Sequence, residues 1–250
     1  MEEKMSSGLL TELGKNVVFV LQFLGVVAAL FIVAYVVEKW EKKRSGSTER
    51  ILTTRKVAMI GMFSAIAAVL MIFEVPVPFA PNFYKIDLSE LPVLIAAFAF
   101  GPVAGVMVEF IKIILNLLMD STTTAFVGEL ANFSVGCSFI LPASIVYGLK
   151  KSKKQAVIGC LVGTLIMTTF GTAFNAVYLL PKFAQLYGMP LEAIVGMGTA
   201  INPRITSVTS LVILAVAPLN VLKGSIVSVL TILIYKKLSV IIKAGMAHSK

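Results

Sequence analysis

Lys223 lies in Ala215-Val216-Ala217-Pro218-Leu219-Asn220-Val221-Leu222-Lys223-Gly224, inside an apolar segment long enough to cross a bilayer. An ammonium at that depth is costly and persists where it faces a partner, a cavity or a ligand. Pro218 and Gly224 loosen the helix, and Asn220 sits one turn earlier on the same face. Asn132 and Asn175 fall in two other apolar segments. Each amide offers a donor pair and an acceptor. Three amides and an amine from three helices suit a flat heterocycle carrying ring N–H and carbonyl groups. Tyr178, one turn after Asn175, adds a ring for stacking. The competing role for such asparagines is inter-helix hydrogen bonding, worth about 0.6–2 kcal/mol each.

Three more ionisable groups lie in apolar segments: Glu109, Lys112 and Glu129. Glu109 and Lys112 are three residues apart and read as a structural ion pair. Glu129 falls in the first turn of its helix, near the outer surface. It either balances the helix N-terminus or contacts a ligand at the cavity mouth.

The elements that must position these groups are membrane helices. Hydrophobic residues make up 58% of the 250, charged residues only 14%, and mean hydropathy is +0.93. Soluble domains carry about 25% charged residues. The apolar runs are continuous rather than alternating, so strands are not expected. The net charge of +9 sits between the runs without aromatic interleaving, which argues against nucleic-acid binding. Cys137 and Cys160 read as small apolar helix residues, with no disulfide framework and no metal site.

A first span runs from about Asn16 to Val37, an anchor helix rather than a signal peptide. The polar stretch from Glu38 to Lys56 carries seven basic residues and marks the cytoplasmic side, with the N-terminus outside. Residues 1–50 thus form an anchor helix and charged linker, and 51–250 a six-helix substrate-binding domain. The next span covers about Val57 to Phe73, with small pairs Gly61/Ala65 and Ser64/Ala68 that permit close helix approach. A loop with three prolines follows from Glu74 to Ile86. Asp87-Leu88-Ser89-Glu90 has capping-box spacing and predicts a helix start at Leu88. The apolar stretch from there to Met119 would be about 48 Å as one helix, too long for a core of about 30 Å. Splitting it at Gly101-Pro102 into a hairpin also puts Lys150-Lys151-Ser152-Lys153-Lys154 inside. Further spans cover Ala125–Gly148, Ala156–Leu180 and Ile205–Tyr235, with a short outer helix near Leu191–Gly198. In this layout 15 of the 22 basic residues lie inside, and the C-terminus is cytoplasmic.

Four stretches, in this order, resemble the riboflavin-binding S components of prokaryotic energy-coupling factor (ECF) vitamin transporters: Asp87-Leu88-Ser89-Glu90-Leu91-Pro92, Thr122 to Phe133, Phe174-Asn175-Ala176-Val177-Tyr178, and Pro218 to Lys223. The resemblance covers about Thr53 to Lys243. It implies an all-α integral membrane protein with a six-helix S-component core, here with one additional N-terminal transmembrane helix. It implies capture of riboflavin as cargo, no cofactor, and action beside a transmembrane coupling subunit and two cytoplasmic ATPases in the cell membrane. Pro76–Ile86 would act as a lid. Gly61, Ala65 and Ala68 would dock the coupling subunit. Asn175, Asn220 and Lys223 would bind the isoalloxazine ring, with Tyr178, Glu129, Asn132, Asp87 and Leu88 completing the site. The N-terminal helix departs from the family pattern.

The chain has no Gly-x-x-x-x-Gly-Lys-Ser/Thr loop and so no phosphate cradle of that type. Its one histidine, His248, lies in the polar tail, which leaves no histidine-based catalytic or metal cluster. The alternatives are an S component for a different vitamin, a gradient-driven secondary transporter, and an intramembrane enzyme using Glu109 or Glu129.

Overall fold

The computed structural model describes residues 17–120 and 126–247. Residues 1–16, the Thr122-Thr123-Thr124 stretch and His248 lie outside the described residues. Apolar sequence of this kind folds as helix because a bilayer offers no water to satisfy backbone groups. Helix α1 spans Val17–Ser45, α2 Thr54–Ile72, α3 Glu90–Phe100, α4 Pro102–Asp120, α5 Val127–Leu149, α6 Lys153–Phe174, α7 Leu180–Tyr187, α8 Leu191–Thr199, α9 Val208–Leu211 and α10 Ala217–Ala247. Among the described residues, six helices are long and apolar enough to cross a membrane, and α3 is a shorter apolar helix. One N-terminal helix and six core helices, one of them short, match the expected count.

Helices α3 and α4 form the expected hairpin. Gly101 has φ of +107°, a conformation that a Cβ makes costly. Pro102 takes the first helical position, where its missing N–H is not needed. The arms run antiparallel and touch: a Cβ on Gly105 would come within 2.7 Å of the Ala97 Cβ. Helices α5 and α6 approach as closely, since a Cβ on Gly159 would meet the Ala143 carbonyl oxygen at 2.5 Å.

Two π-helical segments shape the binding end. Asn175–Leu179 joins α6 to α7, and Val212–Val216 joins α9 to α10. Both have the same cause. Each stops just before a proline, Pro181 or Pro218, whose ring would strike the carbonyl four residues back. The turn widens instead, and the Leu180 and Ala217 N–H groups reach back five residues, to the carbonyls of Asn175 and Val212. The α6 rod therefore continues past Leu180 to Tyr187.

Four expectations need correction. Helix α1 does not end at Val37. It runs to Ser45, so the first part of the charged stretch is helical and docked rather than a free linker. Its Glu38 is buried and accepts a hydrogen bond from the Val103 N–H at 3.1 Å, satisfying an orphan donor at the start of α4. Strands are present after all, as a two-residue antiparallel pair, β1 (Val75–Pro76) with β2 (Lys85–Ile86). That pair closes the proline-rich loop into a hairpin. Helix α3 begins at Glu90, not Leu88, and the capping box does not form. The Asp87 carboxylate accepts from the Ser89 N–H at 2.7 Å instead, and Glu90 turns inward to a lysine. Finally, the last rod starts at Val208 rather than Ile205, under a Ser207/Ser210 capping box.

The Gly159 contact yields a test. Gly159→Val is expected to destabilise the purified protein by about 1–3 kcal/mol, because overpacking against a backbone carbonyl cannot relax through a side chain. A lowered thermal unfolding midpoint in detergent checks it, with Gly196→Val, where a Cβ meets nothing within 4 Å, as control.

Candidate functional site

The end of α2, the proline-rich hairpin, the start of α3, and helices α4 to α8 and α10 line a cavity of about 510 Å³. That volume falls in the range of small-molecule sites. Lys223 reaches its wall from α10 with 11% of the side chain exposed. The ammonium lies 3.0 Å from Asp87 Oδ2 and 2.8 Å from Glu90 Oε2. Burial disfavours the Asp87 carboxylate, but the pull of Lys223, then of Lys112, with hydrogen bonds from Ser89, brings its pKa down to about 2. Asp87 is therefore ionised and Lys223 compensated. An ammonium has three donors, and these two contacts leave one for the cavity.

Behind this wall lies a second buried pair. Lys112 Nζ sits 2.7 Å from Glu109 Oε1 and 3.4 Å from Glu90 Oε1. The expected Glu109–Lys112 pair thus forms, but as part of a five-group network.

The amides also line the cavity. Asn220 is buried, and its Nδ2 has no hydrogen-bond partner among the described residues. It rests on Gly171, where a Cβ would come within 2.7 Å of that nitrogen. A buried amide donor without a partner costs about 1–3 kcal/mol, so it is poised to be satisfied by a ligand. Asn175, at the head of the first π segment, donates to the Gly171 carbonyl at 2.8 Å. Its Oδ1 accepts from the Tyr84 hydroxyl at 2.9 Å. Tyr84 belongs to the hairpin, so this bond latches the hairpin over the cavity. A Phe83–Phe183 ring contact at 6.2 Å and a Lys85–Glu74 ion pair support the closed position.

A sequence profile described as "ECF transporter, substrate-specific component" matches residues 55–235. The chain belongs to that family. It is 35% identical to the riboflavin transporter RibU of Staphylococcus aureus (strain TCH60), over 76% of this chain and 93% of that protein. It is 32% identical to the riboflavin transporter FmnP of Bacillus subtilis (strain 168), over 75% of this chain and 93% of that one. Among solved structures, the S component of a bacterial ECF transporter superposes with a TM-score of 0.58 at 36% identity. It covers 74% of this chain and 95% of its own.

In this S component the cavity gathers six of the eight residues singled out from the sequence: Asp87, Glu129, Asn132, Asn175, Asn220 and Lys223. Two lie elsewhere. Leu88 is 36% exposed and outside the lining. Tyr178 turns toward α1, where its hydroxyl donates to Gln22 Oε1 at 2.9 Å and its ring stacks on Phe174. The wide π turn rotates it off the face that one α-helical turn after Asn175 would have given.

The small-residue faces of α2 also divide. Gly61 and Ala65 are exposed, and a Cβ on Gly61 would meet nothing within 4 Å. Ala68 and Ser64 are buried in the core, so Ala68 is not on the outward face. The site residues missed from sequence are Glu90, Tyr84 and Asn116, which also line the cavity. Glu90 was hidden by its cap-like spacing. Its signal was the need for a counter-charge to Lys223.

Tyr84→Phe is expected to loosen the latch by about 0.5–1.5 kcal/mol. Hydrogen exchange at the amides of Val77 and Tyr84, which bond within the hairpin, should then quicken several-fold while α5 and α6 stay unchanged.

Proposed function

We propose that this S component captures riboflavin at the outer face of a prokaryotic cell membrane and carries it inward. It does so with a transmembrane coupling subunit and two cytoplasmic ATPases. The observation that carries this reading is an Asn220 amide nitrogen without a partner among the described residues, together with a Lys223 ammonium with one donor to spare, both lining one cavity. The two relatives named as riboflavin transporters supply the ligand class.

In this reading Asn220 and Lys223 donate to the carbonyl and ring-nitrogen acceptors of the isoalloxazine. Asn175 Oδ1 exchanges the Tyr84 hydroxyl for a ring N–H of the vitamin, another donor. Glu129 and Asn132, from α5, contact the hydroxyls of the ribityl chain, and Asp87 holds Lys223 in place. Residues Pro76–Ile86 open and close as the lid. The vitamin is cargo, not a cofactor, and ATP hydrolysis belongs to the partner subunits.

The hairpin end of the bundle faces outward and the Lys150–Lys154 cluster inward, with the N-terminus outside and the C-terminus in the cytoplasm. Residues 1–50 form the added anchor, and 51–250 the substrate-binding domain. The exposed Gly61/Ala65 face of α2 meets the coupling subunit, since small residues let helices approach without a hydrophobic driving force.

Purified protein is expected to be yellow or to quench riboflavin fluorescence on titration. Asn220→Ala and Lys223→Ala should each weaken binding by about 1–3 kcal/mol. Asn220→Ala should leave the thermal midpoint near its original value, whereas Lys223→Ala, which strips Asp87 and Glu90 of their shared cation, should also lower it. Unchanged affinity in both variants would remove the site. Ala65→Leu should impair pull-down of the coupling subunit while riboflavin still binds. Uptake that survives loss of the ATPases but collapses with the ion gradient would instead favour a secondary transporter.

A further inference from the structure

Lys112 stands one layer behind the cavity wall. Its side chain is fully buried and does not line the cavity, yet it governs a group that does. Glu90 is divided between two lysines: its Oε1 is 3.4 Å from Lys112 Nζ, and its Oε2 is 2.8 Å from Lys223 Nζ. Ser89 ties the arrangement, accepting from Lys112 at 3.1 Å and donating to Glu90 Oε2 at 3.2 Å. Glu109 takes Lys112 from the far side at 2.7 Å and packs on Gly136, where a Cβ would come within 2.4 Å of its Oε1. Three carboxylates, Asp87, Glu90 and Glu109, therefore face two ammonium groups.

That imbalance makes the division of Glu90 consequential. Lys223 has three N–H donors. Asp87 accepts one and Glu90 Oε2 lies within reach of a second, which leaves one without a carboxylate partner. If Lys112 were absent, both Glu90 oxygens would have Lys223 as their nearest cation. In a dry setting a carboxylate with no other counter-charge draws that cation strongly, and the third donor would turn into the wall.

We infer that Lys112 is a positioning residue for ligand capture: by holding Glu90 through one oxygen, it keeps an N–H of Lys223 free for the bound heterocycle. The inference rests on the riboflavin reading above. Lys112 itself touches no ligand.

Riboflavin titration by fluorescence quenching, on the full-length purified chain, tests it. If the unaltered protein binds no riboflavin, the functional reading fails and this inference falls with it. If it binds, Lys112→Met is expected to lower affinity about tenfold or more. The double variant Lys112→Met/Glu109→Met replaces the ion pair by an apolar pair and removes the unbalanced Glu109 charge. It should remain as weak, because Glu90 still has Lys223 alone. Adding Glu90→Gln to the double variant should recover most of the affinity, since a neutral amide no longer competes for the third donor. Full affinity in the double variant would show that Lys112 only neutralises Glu109, and would overturn the inference. So would a folded, monodisperse triple variant that stays weak. Should Lys112→Met alone fail to fold, the double and triple variants carry the comparison.

Discussion

A buried ammonium must be compensated, and Lys223 makes that requirement structural. Its two carboxylate partners come from the segment that opens α3, 136 residues away for Asp87. The ion pair thus pins the start of α3, and the hairpin that leads into it, against the second turn of α10. Removing one member of such a pair leaves an uncompensated charge and costs about 3–5 kcal/mol. The same contacts that keep the fold closed also set how much of the lysine a ligand can use. Stability and binding therefore draw on the same few side chains.

The amides depend on a different constraint. Pro181 and Pro218 each force a wide turn just before them, at the end of the bundle that carries the cavity. Asn175 opens one of these turns, and Asn220 follows the other by four residues. Gly171 completes the arrangement by leaving room for the Asn220 amide. The hairpin then satisfies Asn175 through Tyr84, while the Asn220 Nδ2 has no partner among the described residues. A buried donor left in this way favours a ligand that can supply an acceptor.

The N-terminal helix adds a seventh wall outside the region that defines the family. Family similarity begins at residue 55, after α1. Phe23 and Phe31 of α1 meet Phe133 and Phe110 at 6.1 and 6.0 Å, and Glu38 and Glu41 settle against Gly101 and Gly148. The helix thereby covers α4 and α5. The Gly61/Ala65 face of α2 stays exposed. Helix α1 meets the π segment through the Gln22–Tyr178 hydrogen bond, and Phe23 and Val27 share an apolar cluster with Leu179.

Composition and run length were enough to determine a helical membrane protein and its hairpin at Gly101-Pro102. Those features follow from local chemistry: apolar length, a proline's missing donor, a glycine's missing Cβ. The ionisable and amide groups were legible too, because polar side chains in oily segments are conspicuous wherever they fall. Their partners were not. Asp87 and Glu90 looked like a helix cap until α10 was placed beside them, and Tyr178 looked like a site residue until the π turn rotated it away. Pairing across more than a hundred residues and rotation about a helix axis depend on how the rods pack. Only the tertiary structure decided them, because a charge chooses its counter-charge by distance in space and not by spacing along the chain.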